Sequence, residues 1–249
     1  MDGPQPVFLT ARWRHLVMLN YEIDPVAIEP FVPAGTEPDD YHGRHFVSVV
    51  GFRFLDTRVM GVPIPLHRNF EEVNLRFYVR RDEAGEKRRG VVFIKEIVPR
   101  RAIAWVAKAI YNEPYAAMPM RHADGMPRAD IDAEGIVGYG WRSRGGWNGM
   151  RVTTSGPASM PGDDSIETFI TEHYWGYTRQ RDGSTIGYQV EHPRWNVWPA
   201  RSVEFKCDVA GVYGDRWIEY LKDTPSSAFV ADGSEVLVRR GCASDRVIK

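Results

Sequence analysis

The sequence predicts a mainly β (α+β) protein, an antiparallel, closed or nearly closed β architecture with a few short helices. Three observations carry this. Segments that alternate apolar and polar residues recur along the chain, as in strands, whose side chains point to opposite faces with period two. Gly, Asp or Pro separates most of them, which is the punctuation of hairpins. Only two or three stretches carry helical signals, and so many strands are best accommodated when closure removes their exposed edges.

Residues 13–23, WRHLVMLNYEI, read as the first strand. Asp24-Pro25 supplies an N-cap and a proline suited to the first helical position, so a short helix over PVAIEPFV follows and stops near Pro33. GTEPDDYHGR is a turn-rich loop, and HFVSVVGFRFLDTRV, residues 45–59, a long strand. The two prolines of MGVPIPLHRN make the next connection irregular. Residues 71–81 alternate cleanly: Val73, Leu75, Phe77 and Val79 fall on one side, Glu72, Asn74, Arg76 and Tyr78 on the other. DEAGEK then turns the chain into GVVFIKEIV, a hairpin with a glycine-containing loop, where alternation puts Val91, Phe93, Lys95 and Ile97 on one face. Pro99 opens a helix over residues 99–112; Ile103, Val106 and Ile110 form its apolar stripe and Pro114 ends it. Beyond residue 130, IVGYGWRSR, MRVTTSG, IETFITEHYWGYTRQ, STIGYQVEH, ARSVEFKC and EVLVRR read as short strands, and DRWIEYLKDT as one helical turn. No repeat or charged linker divides the chain, so one domain over 1–249 is expected.

The 249 residues are 43% hydrophobic and 26% charged, values of a globular protein with a sizeable core. A formal net charge of −1 supplies no field to recruit nucleic acid or an anionic membrane. No apolar run approaches the roughly 20 residues that span a bilayer. MDGPQPVFLT has neither the basic start nor the apolar stretch of a signal peptide, so a cytoplasmic protein is expected. Cys207 and Cys242 stand far apart in no CxxC pair, which argues against a disulfide framework and a cysteine zinc site. The 8 tryptophans and 11 tyrosines suit a core, a small-molecule pocket or a subunit interface.

His42 and His45 in HGRH are three apart but fall in a loop with no evident third ligand, so no metal and no other cofactor is expected. There is no G-x-S-x-G elbow, no Walker loop and no G-x-G-x-x-G after a strand. The basic residues near the hairpin, Arg80, Arg81, Lys87, Arg88, Arg89, Arg100 and Arg101, are diluted by Asp82, Glu83 and Glu86 and read as a solvated tip. Lys95 and Lys108 are the amines to weigh for imine chemistry, and each reads as an ammonium reaching water along an apolar stem. His192, in VEHPRWNVWP beside Trp195 and Trp198, suits a pocket acid or base and equally a packed histidine at a strand end. The face of Glu72, Asn74 and Arg76 also has two readings. It is the solvated side of a half-buried sheet, or a cavity wall where a carboxylate near a guanidinium orients or protonates a ligand.

Five blocks in order, WRHLVMLNYEIDPVAIEPFVPAG, FVSVVGFRFLDTRVMG, HRNFEEVNLRFYVRR, RGVVFIKEIVPRRAIAWVAKAIYNEPYAAMPM and YQVEHPRW, span roughly residues 10–200 and resemble the YqjF-like family of bacterial proteins. That family is similar in fold to acetoacetate decarboxylase. The resemblance implies a cone-shaped, nearly closed antiparallel β structure around a central cavity, with short helices at the rim. It sets Arg14, ahead of the Tyr-x-x-Asp helix start in WRHLVMLNYEID, at the decarboxylase's arginine, and Glu72, in EVNLRFYV, at its pocket glutamate. A second pocket glutamate corresponds to Val50. Where the decarboxylase has a proline followed by two lysines, one of which forms the imine, this chain has Pro114-Tyr115-Ala116. Tyrosine cannot form an imine, so the resemblance implies a shared fold without the Schiff-base reaction. Under it Arg14 would anchor the anion of a small organic acid or carbonyl compound. Glu72 would act as acid, base or acceptor and Tyr115 as a neutral donor, with Asn74, Arg76, His192 and Trp195 in the wall. A non-covalent acid/base enzyme and a non-catalytic binding or sensing protein both fit, and the relatives imply a homo-oligomer.

Overall fold

The structure is a computed structural model that describes residues 5–83, 85–100, 112–126 and 134–245. Its strands form a ring. Strand β1 (Val7–Ile23) pairs with β3 (His45–Val59), β3 with β5 (Phe70–Glu83), and β5 with β6 (Glu86–Val98). From β6 the ring continues through β11 (Trp175–Arg179), β12 (Thr185–Glu191) and β15 (Glu235–Arg239), and β15 returns to the first half of β1. The pairings are antiparallel except β6–β11 and the pairing of β6 with β7 (Tyr115–Ala117), so the sheet is mixed where antiparallel order throughout is the sequence expectation. The second half of β1 pairs with β14 (Ser227–Ala231). From there an outer arm runs through β13 (Val197–Lys206), β10 (Gly146–Thr154), β9 (Ile136–Ser143) and β8 (Met120–Gly125). Three short pieces complete the strands: β2 (Glu37–Pro38), β4 (Val62–Pro63) and β16 (Cys242–Asp245).

Two apolar clusters follow from this layering. Val73, Leu75, Phe77 and Val79 on the outer face of β5 pack with Val137, Tyr139, Trp141 and Met150 of the arm. The arm approaches closely: a Cβ on Gly51 would sit 2.6 Å from the Tyr139 ring, so only glycine fits there without displacing it. The inner cluster joins Leu16, Phe52, Phe54, Tyr78, Val91 and Trp195. Strand β5 is therefore covered on both faces, and in its polar row Glu72, Asn74 and Tyr78 are buried while Arg76 is half-buried.

Local sequence explains where the elements depart from expectation. The segment after Asp24 forms two 3-10 turns, Pro25–Ala27 and Glu29–Phe31, in place of one helix. Asp24 caps the first by accepting from the Val26 amide at 2.9 Å, but Pro30 has no N–H to bond the carbonyl of Val26. Within IETFITEHYWGYTRQ, Ile166–Thr171 is a helix, α1, and only Trp175–Arg179 is a strand. Its β-branched residues suit a strand, but the Ser165 hydroxyl accepts from the Thr168 amide and nucleates the turn. The first strand begins at Val7 rather than 13, and β7, β8 and β14 are further strands. DRWIEYLKDT forms a 3-10 turn and a short helix, α3 (Ile218–Leu221), after helix α2 (Val209–Tyr213). The helix expected over 99–112 falls on residues 101–111, outside the described residues, and Lys108 with it. Among the described residues no helix is long and apolar enough to cross a membrane.

Candidate functional site

The ring surrounds a cavity of about 310 Å³ that opens to the outside. Its wall is mostly apolar and rich in aromatic rings: Trp13 of β1, Phe52 and Phe54 of β3, Phe70 of β5, Phe93 of β6, Trp175 of β11, and Trp195. Polar groups gather on one side, where Glu72, Asn74 and Arg76 of β5 meet Glu96 of β6, Glu113, Tyr115 of β7 and Tyr188 of β12.

A β-bulge decides which residues of β6 enter. Phe93 pairs with Arg76 and Lys95 with Leu75, so one residue, Ile94, is extra on β6. A one-residue slip reverses the faces beyond it. Val91 and Phe93 line the cavity before the bulge, and Glu96 lines it after. Lys95, which strict alternation sets beside Phe93, is turned to the outer layer and donates to the Val212 carbonyl at 2.5 Å.

Glu72, Glu96 and Glu113 are 2%, 1% and 6% exposed. Asn74 Nδ2 donates to Glu72 Oε1 at 3.0 Å, and the Tyr115 hydroxyl donates to Glu72 Oε2 at 3.2 Å. Tyr188 and Thr178 donate to Glu113 Oε1 at 2.6 and 3.1 Å. Glu96 and Glu113 stand close enough that the titration of each carboxyl depends on the other. Burial, reinforced by the charge of Glu113, pushes Glu72 up to about 7, against the hydrogen bonds from Asn74 and Tyr115 and the charge of Arg76. Burial and the neighbouring charges of Glu113 and Glu72 raise Glu96 well above the usual carboxyl range. Burial and the same carboxylates keep Tyr115 and Tyr188 neutral, as donors. Asn74 Oδ1, Glu96 Oε2 and Arg76 Nε are buried with no partner among the described residues.

Of the residues singled out in the sequence, Glu72, Asn74, Arg76, Tyr115, His192 and Trp195 all line this cavity. The His192 ring stacks on Trp195 at 4.1 Å between centroids, and Trp195 Nε1 donates to Ser234 Oγ at 2.9 Å. Arg14 is the exception. In the β1–β3 ladder Trp13 pairs with Phe54 and Arg14 with Arg53. Paired residues share a face, so the cavity side takes Trp13 and Phe54 and the opposite side takes Arg14. Its guanidinium donates to the Gly233 carbonyl at 2.5 Å. The pairing of Arg14 with Glu72 is therefore corrected: the sheet lies between them, and Arg76 is the arginine in the cavity wall.

Sequence reasoning missed Glu96, Glu113, Tyr188, and a second polar group at the wall. His173, with a side chain 1% exposed, holds Asp39 Oδ2 through Nε2 at 3.1 Å, and Arg89 Nε reaches the same oxygen at 2.7 Å. Burial would raise Asp39, but the hydrogen bonds from His173 and Arg89 outweigh it and hold the carboxyl well below the usual range. Burial pushes His173 down to about 4, so its imidazole is neutral near pH 7. One signal was available for Glu96: adjacent residues of a strand point to opposite faces, so one of Lys95 and Glu96 had to face inward.

Comparison with known proteins follows the same lines. The DUF2071 family, described as an uncharacterised conserved protein, matches residues 10–235. Among curated proteins the chain is similar to uncharacterised protein YqjF of Bacillus subtilis (strain 168), 25% identical over 208 residues, 80% of each chain. Among solved structures it is similar to an acetoacetate decarboxylase-like enzyme from Sphingomonas wittichii RW1, with TM-score 0.67 and 14% identity over 97% of this chain and 95% of that one. It is also similar to the enduracididine biosynthesis enzyme MppR complexed with pyruvate, with TM-score 0.69 and 13% identity over 99% and 93%. The acetoacetate decarboxylase of Legionella pneumophila gives TM-score 0.63 and 14% identity over 100% and 92%. At these identities the likeness establishes the fold, which is acetoacetate decarboxylase-like.

Proposed function

We propose, from the premise that this chain belongs to the DUF2071 family, that its cavity binds a small organic acid or carbonyl compound with an apolar body and acts on it by non-covalent acid/base chemistry. The observation that carries this is the Tyr115 hydroxyl 3.2 Å from a buried Glu72 whose carboxyl burial pushes up to about 7. A carboxyl poised near neutrality both takes and returns a proton at working pH. With a carbonyl compound seated against the aromatic wall, Glu72 takes the proton from the carbon beside the carbonyl. The electron pair moves to the oxygen, where Tyr115 donates. Return of that proton to another carbon completes an enolisation; for a hydration Glu72 instead takes a proton from a water that attacks the carbonyl carbon while Tyr115 donates to the oxygen. A substrate carboxylate would meet Arg76, whose buried Nε has no partner among the described residues. No lysine among the described residues lines the cavity. A cytoplasmic setting and self-assembly belong to the same proposal; both cysteines are free thiols.

A second reading, binding or sensing without turnover, is favoured by the breadth of the aromatic wall, which suits affinity more than chemistry. The chemical core of the proposal is tested by borohydride treatment with a keto acid such as acetoacetate, read by intact mass. No adduct is expected. An adduct on Lys95 or Lys108 would show a relocated imine amine and overturn the non-covalent mechanism.

A further inference from the structure

Asn74 and Glu96 stand directly opposite each other in the β5–β6 ladder, on the cavity face. Such cross-strand pairs hold their side chains side by side. Asn74 spends its amide N–H₂ on Glu72, which fixes its orientation and leaves Oδ1 as the free end. Glu96 Oε2 is likewise buried with no partner among the described residues. Both groups are about 1% exposed, and both orphan atoms are acceptors. A buried acceptor without a donor costs about 1–3 kcal/mol, and two on neighbouring positions of one wall call for a ligand group that brings several N–H bonds.

Charge narrows the class. Glu72, Glu96 and Glu113 share this wall with one guanidinium, that of Arg76. The charge of Glu113 raises both Glu72 and Glu96, and that of Glu72 raises Glu96, so these acids hold protons that a bound cation would replace. A neutral amide or hydroxyl would fill the hydrogen bonds and leave that mutual repulsion. A protonated amine answers both.

We infer that the cavity takes a ligand carrying a primary ammonium group, held between Asn74 Oδ1 and Glu96 Oε2, with its apolar body on the aromatic wall. The inference rests on the reading of the cavity as a ligand site and deepens it: the substrate is an amino-carbonyl compound, with its carbonyl at Glu72 and Tyr115 and its nitrogen one strand across.

Three probes of similar size test it by calorimetry and thermal shift at pH 7: 2-phenylethylamine, 2-phenylethanol and 4-phenylbutan-2-one. The amine should bind the unaltered protein at least about tenfold more tightly than the alcohol, the scale of a hydrogen bond to a charged group. Glu96→Gln and Asn74→Leu should each lower that preference by about tenfold. Amine binding no tighter than alcohol binding overturns the inference, and this comparison needs no variant to fold. So does a preference that survives in both variants. If the ketone binds and the amine does not, the ammonium site fails while the ligand cavity stands. If none of the three binds, the cavity reading itself fails.

Discussion

Glu72→Gln should reduce turnover of a carbonyl substrate by about 10²–10⁴-fold, the usual scale for removing a general acid or base, with binding retained. In the binding-only reading the same change should weaken affinity instead, so calorimetry and product analysis on one variant separate the two. The variant should also change stability, and the sign is specific. Glu72 keeps its proton in the fold up to about 7, against an ordinary value of 4.5 in the unfolded chain. Between those values the native state binds more protons than the unfolded state, so stability falls as pH rises through that window. The whole loss is on the order of 3 kcal/mol. Gln removes it. Urea unfolding should therefore find the variant more stable than the parent above pH 7 and no more stable near pH 4. This inverse relation of activity and stability is what a carboxyl kept buried for its chemistry produces.

Asp39→Asn, behind the wall residue His173, should have the largest destabilising effect among the buried polar substitutions, about 2–4 kcal/mol at pH 7. Removing one member of a buried ion pair leaves the other charge without compensation. Here the loss is moderated because Arg89 is 30% exposed. The pH dependence runs opposite to that of Glu72. The folded value of Asp39 is depressed, so its contribution is present above the unfolded value of 3.8 and is lost as pH falls through the lower folded value. His173 adds to acid sensitivity, since the unfolded chain binds its proton near 6.5 and the fold resists until about 4. The difference between parent and variant should hold from neutral pH down to about 4 and shrink only below that, as followed by urea unfolding between pH 2 and 7.

Much of this was legible in the sequence because it rests on period-two alternation. The strand over 71–81 showed both its faces correctly, and Glu72, Asn74, Arg76 and Tyr115 do share one wall. What was illegible came from breaks in that periodicity. Ile94 is an extra residue with no distinguishing residue type, and it exchanges Lys95 for Glu96 at the cavity. In β1, His15 adopts φ 54 where the register with β3 shifts between Arg14 and Val17. An arginine that looks well placed in the one-dimensional pattern thus ends on the far side of the sheet. Glu113 and His173 belong to segments outside strands, and only the ring's closure brings them to the wall. Helix α1 escaped notice because a single serine cap outweighed residue types suited to a strand.

The direct test of the central claim, that a buried acid poised near neutrality faces the cavity, is the titration of Glu72 by carboxyl ¹³C NMR, with Glu72→Gln used for assignment. The account predicts a midpoint near 7. A midpoint at the ordinary 4.5 would place this carboxyl in water and contradict it.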